Sequence, residues 1–122
     1  MENRAEKMEM YFAQKVADCE RQYVSLWADE RTDDAALQRI SSNVYGIFRT
    51  ILPVCIKLSG GDLTRAKTVF LEKYGQITGN WAHAFTLADG HRDLKCCAIE
   101  QVKLSTAEEI RERFLRIWEG EA

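Results

Sequence analysis

The segment GHRDLKCC, residues 90–97, places one of the chain's two histidines close to two of its four cysteines. Imidazole and thiolate groups bind transition metals, and a thiolate is also a nucleophile. Zinc sites use cysteines separated by about two to four residues, whereas Cys96 and Cys97 are adjacent and point apart on either a helix or a strand. We therefore expect packing thiols here. A small metal- or thiol-dependent enzyme that uses His83, His91 and Cys96 is the weak alternative.

Motifs for other kinds of catalysis are missing from the sequence. None of the serines lies in the glycine-flanked turn of a nucleophile elbow. The segment SGGD, residues 59–62, lacks the lysine of a phosphate-binding loop, and its aspartate would repel an anion. Glycines after an apolar run are instead typical of a helix end. We therefore predict a non-enzymatic protein without a cofactor or a metal.

The composition is that of one helix-rich domain spanning residues 1–122. Of these residues 46% are hydrophobic and only one is proline, which provides apolar surface for a single core and few helix breakers. The net charge of -2 gives no general attraction for a polyanion. Nucleic acid is therefore an unlikely class of partner.

The amino terminus and the apolar runs predict a cytoplasmic protein that makes no membrane contact. The first ten residues mix both charge signs and lack the apolar segment of a secretory signal. The most apolar run, residues 44–58, is interrupted by Arg49 and Pro53 and is too short to span a bilayer. Without export, the cysteines are expected to remain reduced.

Two long helices are predicted in the first half of the chain. Residues 2–30 contain no proline or glycine, and apolar residues recur there at steps of three and four. The next helix, residues 34–58, follows a polar run and is expected to kink or break at Pro53. Its clearest feature is a seam, expected to face the core, that consists of Leu37, Ile40, Val44, Ile47, Ile51, Val54 and Leu58. We therefore predict that the helix 34–58 is central.

The second half of the chain contains two further helix signals. Asp62 is the predicted N-cap of a helix that ends near Tyr74. Ser105 and Glu108 have the spacing of a capping box at the start of the final helix.

Residues 82–103, between these helices, fit two structures. Apolar and polar residues alternate before the turn pair Asp89-Gly90, which favours a short β-hairpin, but a further helix fits equally well. The predicted fold class is mainly α, a helical bundle of four to five helices around the central helix 34–58, with the hairpin as an open alternative.

The first helix indicates how the protein assembles. A helix of about 29 residues is about 44 Å long, whereas a compact chain of this size is about 35 Å across. The helix should extend beyond the monomer and expose part of its apolar stripe, unless a bend near Asp18 folds it back. A second copy, packed along this helix or along the seam of the next, is the simplest cover. The predicted interface residues are Met8, Phe12, Tyr23, Leu26 and Trp27.

One segment supports a different kind of partner. Residues 66–85 have the outline of a helix-turn-helix, with a glycine at the expected turn. The polar residues that would contact DNA are Lys67, Lys73, Thr78 and Asn80. The match is loose, because few of these side chains read base edges.

The features together predict a homodimeric protein-binding module, of adaptor, chaperone-like or regulatory type, with an unidentified protein partner. A DNA-binding regulator is the first alternative, and the small metal- or thiol-dependent enzyme is the second.

Overall fold

The chain forms a bundle of four α-helices in a computed structural model that describes residues 3–120. The helices are α1 (Arg4–Ala28), α2 (Thr32–Leu58), α3 (Leu63–Gly90) and α4 (Leu94–Trp118). Short turns join them, and residues 3–120 contain no β-strand. The predicted mainly α fold class is confirmed.

The β-hairpin considered within residues 82–103 is wrong. This segment holds the end of α3, a short turn and the start of α4. Packing explains the outcome, since Trp81 lies edge-on to Phe48 of α2, with ring centroids 6.2 Å apart, and Phe85 one helical turn later is partly buried.

The predicted ends of the later helices also need correction. The helix predicted to stop near Tyr74 continues through Gly75 and Gly79, each of which weakens a helix by about 1 kcal/mol. Tertiary packing of the surrounding apolar side chains outweighs that loss. The final helix starts eleven residues before Ser105, at Leu94, where Asp93 caps it by accepting a bond from the Cys96 amide.

The predictions for the start of α3 and for the course of α2 are confirmed only in part. Asp62 caps α3 as predicted and accepts bonds from the Thr64 and Arg65 amides. Helix α2 begins at Thr32, two residues earlier than predicted, and it continues through Pro53 to Leu58 without the expected break.

Helix α1 is continuous from Arg4 to Ala28, so there is no break near Asp18 that folds its second half back. The expected overhang is also wrong, because the four helices have similar lengths of 25, 27, 28 and 25 residues. At 1.5 Å per residue each is about 38–42 Å long. The bundle is elongated along all four helices, which the assumption of a nearly spherical domain missed.

Two helices share the central position. Both α2 and α4 contact the three other helices, whereas α1 and α3 do not approach each other. The prediction of a single central helix at 34–58 is therefore not confirmed.

The core is concentrated in one half of the bundle, where the beginnings of α1 and α3 meet the ends of α2 and α4. Its largest fully buried side chains include one phenylalanine from each helix: Phe12, Phe48, Phe70 and Phe114. The rings of Phe70 and Phe114 are 4.3 Å apart between centroids, and the Trp118 indole donates a 2.7 Å hydrogen bond to the Leu63 carbonyl. Aromatic contacts between helices therefore define the packed half.

Candidate protein-binding surface

The apolar seam of α2 lies largely on the outside of the bundle. Ile47 is 38% exposed, Val54 52% and Leu58 65%. Ile40 and Ile51 are partly exposed, and Val44 is the one member of the seam that is fully buried. The prediction that this seam faces the core is therefore wrong for most of its length. We call five of its exposed or partly exposed members, Ile40, Ile47, Ile51, Val54 and Leu58, the outer seam.

A second stripe on the same helix occupies the core instead. Tyr45, Phe48, Leu52 and Cys55 also follow steps of three and four, and all four are buried. Aromatic rings remove more apolar area from water than aliphatic side chains do, so the orientation that buries Tyr45 and Phe48 is favoured over the one that buries the isoleucines. Helix α2 therefore has two apolar faces, and only one of them is buried in the core of the bundle.

A shallow groove of about 680 Å³ runs beside the outer seam. Its lining includes the short side chains of Ser42 and Thr50 and the α-carbon of Gly46, at four-residue intervals on one face of α2. A β-carbon added at Gly46 would meet no atom within 4 Å, so this part of the helix surface is open. Small residues on one helix face allow another helix to approach closely.

Charged side chains flank this surface at its two ends. Asp33 lies in the first turn of α2 and Lys57 in the last, and both are exposed. Arg49 near the middle is held to the side by its ion pair with Glu9 of α1. The outward positions between the ends carry Ile, Asn, Gly, Thr and Val, in addition to Arg39. The surface thus mixes aliphatic and polar side chains between its ends and carries opposite charges at the two ends themselves.

The five interface residues predicted on α1 are placed differently from one another. Met8 and Phe12 are fully buried in the core of their own chain, so their predicted exposure is wrong. Tyr23 and Leu26 are partly buried. Trp27 is 57% exposed and stacks on Tyr23, with ring centroids 6.2 Å apart. Only the last turns of α1 therefore offer apolar surface of the predicted kind.

Sequence reasoning missed two exposed apolar residues of α1. Met10 and Val24 are 57% and 58% exposed. Their spacing of fourteen residues, two heptads, places them on one helix face, opposite the buried one, and this signal was available in the sequence.

A polar groove lies where α1, α2 and α4 meet. It has a volume of about 310 Å³. Tyr45 donates a hydrogen bond to Glu109, and Lys15 forms an ion pair of 3.0 Å with the same carboxylate. The hydroxyls of Ser41 and Thr106 are 3.1 Å apart. The charged groups that line the centre of this groove are thus already paired with each other.

The pKa values in the polar groove follow from these contacts. Burial, together with the hydrogen bond to Glu109, raises the pKa of Tyr45. Burial alone would raise the pKa of Glu109, but the Tyr45 hydrogen bond and the Lys15 ion pair outweigh it and leave that pKa below its usual value. These shifts favour a neutral phenol and an ionised carboxylate, which is a stable structural pair.

The residues of the metal or thiol alternative are all on the surface. His83, His91 and Cys96 are exposed. Within residues 3–120 no group of three or more His, Cys, Asp or Glu side chains is arranged to hold a metal ion. The hydrogen bond to Asp93 raises the pKa of the Cys96 thiol, which disfavours the reactive thiolate.

The helix-turn-helix outline at residues 66–85 is absent, because α3 runs through the whole segment without a turn. Lys67 is partly buried and forms an ion pair with Glu119, and the Thr78 hydroxyl donates to the Tyr74 carbonyl of its own helix. Lys73 and Asn80 are exposed. The residues predicted to contact DNA do not form the surface that this motif requires.

Comparisons of the chain with known protein families, with curated proteins and with solved structures found no match. In the part of the chain that the structure describes, none of the helices has the length and apolar character needed to cross a bilayer.

Proposed function

We propose that the protein is a non-enzymatic protein-binding module that works as a homodimer and uses the outer seam of α2 as its contact surface. The observation that carries this proposal is the exposure of Ile47, Val54 and Leu58 on a helix whose other apolar face already fills the core. A regular apolar stripe with a period of seven residues is the pattern by which helices pair. Its exposure in a monomer favours a partner that buries it.

The dimensions of the outer seam indicate a weak dimer. A stripe from Ile40 to Leu58, about 27 Å long and about 10 Å wide, covers about 270 Å² on each copy. A standard interface buries about 800 Å² per partner. We therefore expect a dissociation constant in the micromolar range or above, and an equilibrium that another helical partner can displace.

Light scattering after size-exclusion chromatography tests the proposal. The molecular mass should rise from that of a 14.0 kDa monomer to that of a dimer as the concentration increases, over a range of about 1 μM to about 1 mM. A mass that stays at the monomer value across this range would refute the homodimer.

Matched variants locate the surface. Val54→Glu should keep the protein monomeric, because it places an unpaired carboxylate in the apolar contact surface. Leu87→Glu on α3 is the control, since Leu87 and Val54 are both 52% exposed. Val24→Glu tests the exposed face of α1 in the same way. If Val24→Glu abolishes the dimer and Val54→Glu does not, α1 is the contact helix and the assignment to α2 is wrong.

A further inference from the structure

The proposed homodimer leaves the relative direction of the two copies open, and the outer face of α2 carries information about it. Resting on that proposed function, we infer that the two α2 helices pack antiparallel. In this arrangement Asp33 of each copy lies beside Lys57 of the other. The partner that fits this face is thus a second copy in one orientation.

The first argument is the position of charge. Asp33 and Lys57 are separated by 24 residues, 57 minus 33, or about 36 Å of helix. Neither forms an ion pair within residues 3–120. Parallel packing would place like charges together at both ends of the interface. Antiparallel packing replaces both repulsions with two ion pairs related by the two-fold axis.

The second argument is the direction of the helix itself. The first turn of α2 contains Asp33 and Asp34, and its last turn contains Lys57. Each end also carries the partial charge of the helix dipole, positive at the start and negative at the end. Antiparallel neighbours place the start of one helix beside the end of the other, which is the favourable arrangement of these dipoles.

The third argument is the fit of side chains. If Asp33 lies opposite Lys57, residue numbers that face each other across the axis add to 90. Val54 then faces Ala36, Ile47 faces Asn43, and Ile40 faces Thr50. Ala36, Asn43 and Thr50 are exposed and repeat at seven-residue intervals. In this register Val54, Ile47 and Ile40 each meet a smaller side chain, which lets the two helices interdigitate, whereas Ile51 meets the longer side chain of Arg39.

Cross-linking tests the direction. Two variants, Ala36→Cys and Val54→Cys, are made in a background in which the exposed Cys96 and the partly exposed Cys97 are serine. A mixture of the two variants should be cross-linked by a short bismaleimide into a heterodimer, because residues 36 and 54 face each other. Each variant alone should not be cross-linked, because residue 36 of one copy is then distant from residue 36 of the other.

The outcomes separate this inference from the function on which it rests. Light scattering is measured on the same samples. A monomeric mass at every concentration would overturn the homodimer and the orientation together. A dimeric mass with cross-links in each single variant would indicate parallel packing, and a dimeric mass with no cross-link in any sample would remove this register; either result overturns the inference alone.

Charge reversal gives an independent measurement. Asp33→Lys should raise the dissociation constant about tenfold, because it converts two attractions into two repulsions. The double variant Asp33→Lys/Lys57→Asp should return the constant to within about twofold of the unchanged protein. An additive loss in the double variant would contradict the pairing. Circular dichroism on each variant checks that α2 remains folded.

Discussion

The Tyr45 phenol donates a 2.5 Å hydrogen bond to Glu109 Oε2, and this bond joins α2 to α4. Lys15 of α1 holds the other carboxylate oxygen at 3.0 Å. Three helices therefore meet through one carboxylate. Tyr45 thus belongs both to the packed core and to the lining of the polar groove.

The Glu109 carboxylate should make the free energy of unfolding depend on pH in the acidic range. Its pKa is lowered in the folded protein, so its ionisation stabilises the fold above the unfolded pKa of about 4.3, and this contribution is lost as the pH falls through the lowered folded pKa. In Glu109→Gln the fall in stability between about pH 5 and pH 2 should be shallower. Urea unfolding across this range measures the slope. Glu112→Gln, at an exposed position of the same helix, is the control, and an equal change in both variants would contradict the assignment.

The phenylalanine cluster should dominate stability. Phe70 is fully buried between Phe48 and Phe114, and Phe70→Ala should lower the free energy of unfolding by about 3–5 kcal/mol. The exposed Leu87 provides a comparison, and Leu87→Ala should change the free energy of unfolding by less than about 1 kcal/mol. Chemical unfolding, monitored by circular dichroism, measures the free energy of unfolding of both variants. Similar losses in the two variants would mean that the core is not concentrated where the structure places it.

Two turns hold residues in a backbone conformation that favours glycine. Glu30 has φ 62° and Arg92 has φ 54°, each in the turn that follows a helix. Replacing either by glycine should stabilise the protein by about 0.5–1 kcal/mol, because the strain on a side chain at positive φ exceeds the entropy that glycine adds to the unfolded chain. Thermal unfolding measures this gain.

Gly60 provides the opposite test of the same idea. It has φ 62°, and a β-carbon there would meet no atom within 4 Å, so Gly60→Ala creates no clash and its effect is backbone strain offset by the entropy that the unfolded chain loses. We expect a loss of about 1 kcal/mol. A neutral effect at Gly60 together with a loss in Glu30→Gly would show that these turns do not have the conformations described.

The exposed thiol and the two buried thiols should react under different conditions. Cys96 is exposed, whereas Cys19 and Cys55 are buried, and burial raises the pKa of both. A thiol reagent should label Cys96 in the folded protein but reach the two buried thiols only on unfolding. Mass spectrometry of the labelled peptides identifies them.

Asp93 should control the reactivity of Cys96. The Asp93 carboxylate raises the pKa of Cys96 through a hydrogen bond and through its negative charge, and Asp93→Asn replaces this carboxylate with an amide that can still cap α4. The pH profile of the labelling rate should therefore shift to lower pH. Asp89→Asn, at an exposed position near the end of α3, is the control, and an unchanged profile in Asp93→Asn would refute the effect.

Local sequence rules determined much of the helical structure. The uninterrupted periodic residues of α1 produced a single helix, and Asp62 capped α3, because both depend on contacts within a few residues. The same rules misplaced the end of α3 and the start of α4. Gly75, Gly79 and Ser105 are weak local signals, and the packing of distant side chains outweighed them.

Only the tertiary structure decided which face of α2 is buried. The sequence contains two apolar stripes there, and its more regular one, including Ile47 and Val54, was expected inside. The choice depends on the aromatic side chains that α3 brings to Phe48, and on Glu109 of α4, which accepts the Tyr45 hydrogen bond. Helical periodicity shows that a face is apolar, but the volume and polarity of the neighbouring helices determine whether it packs within the chain.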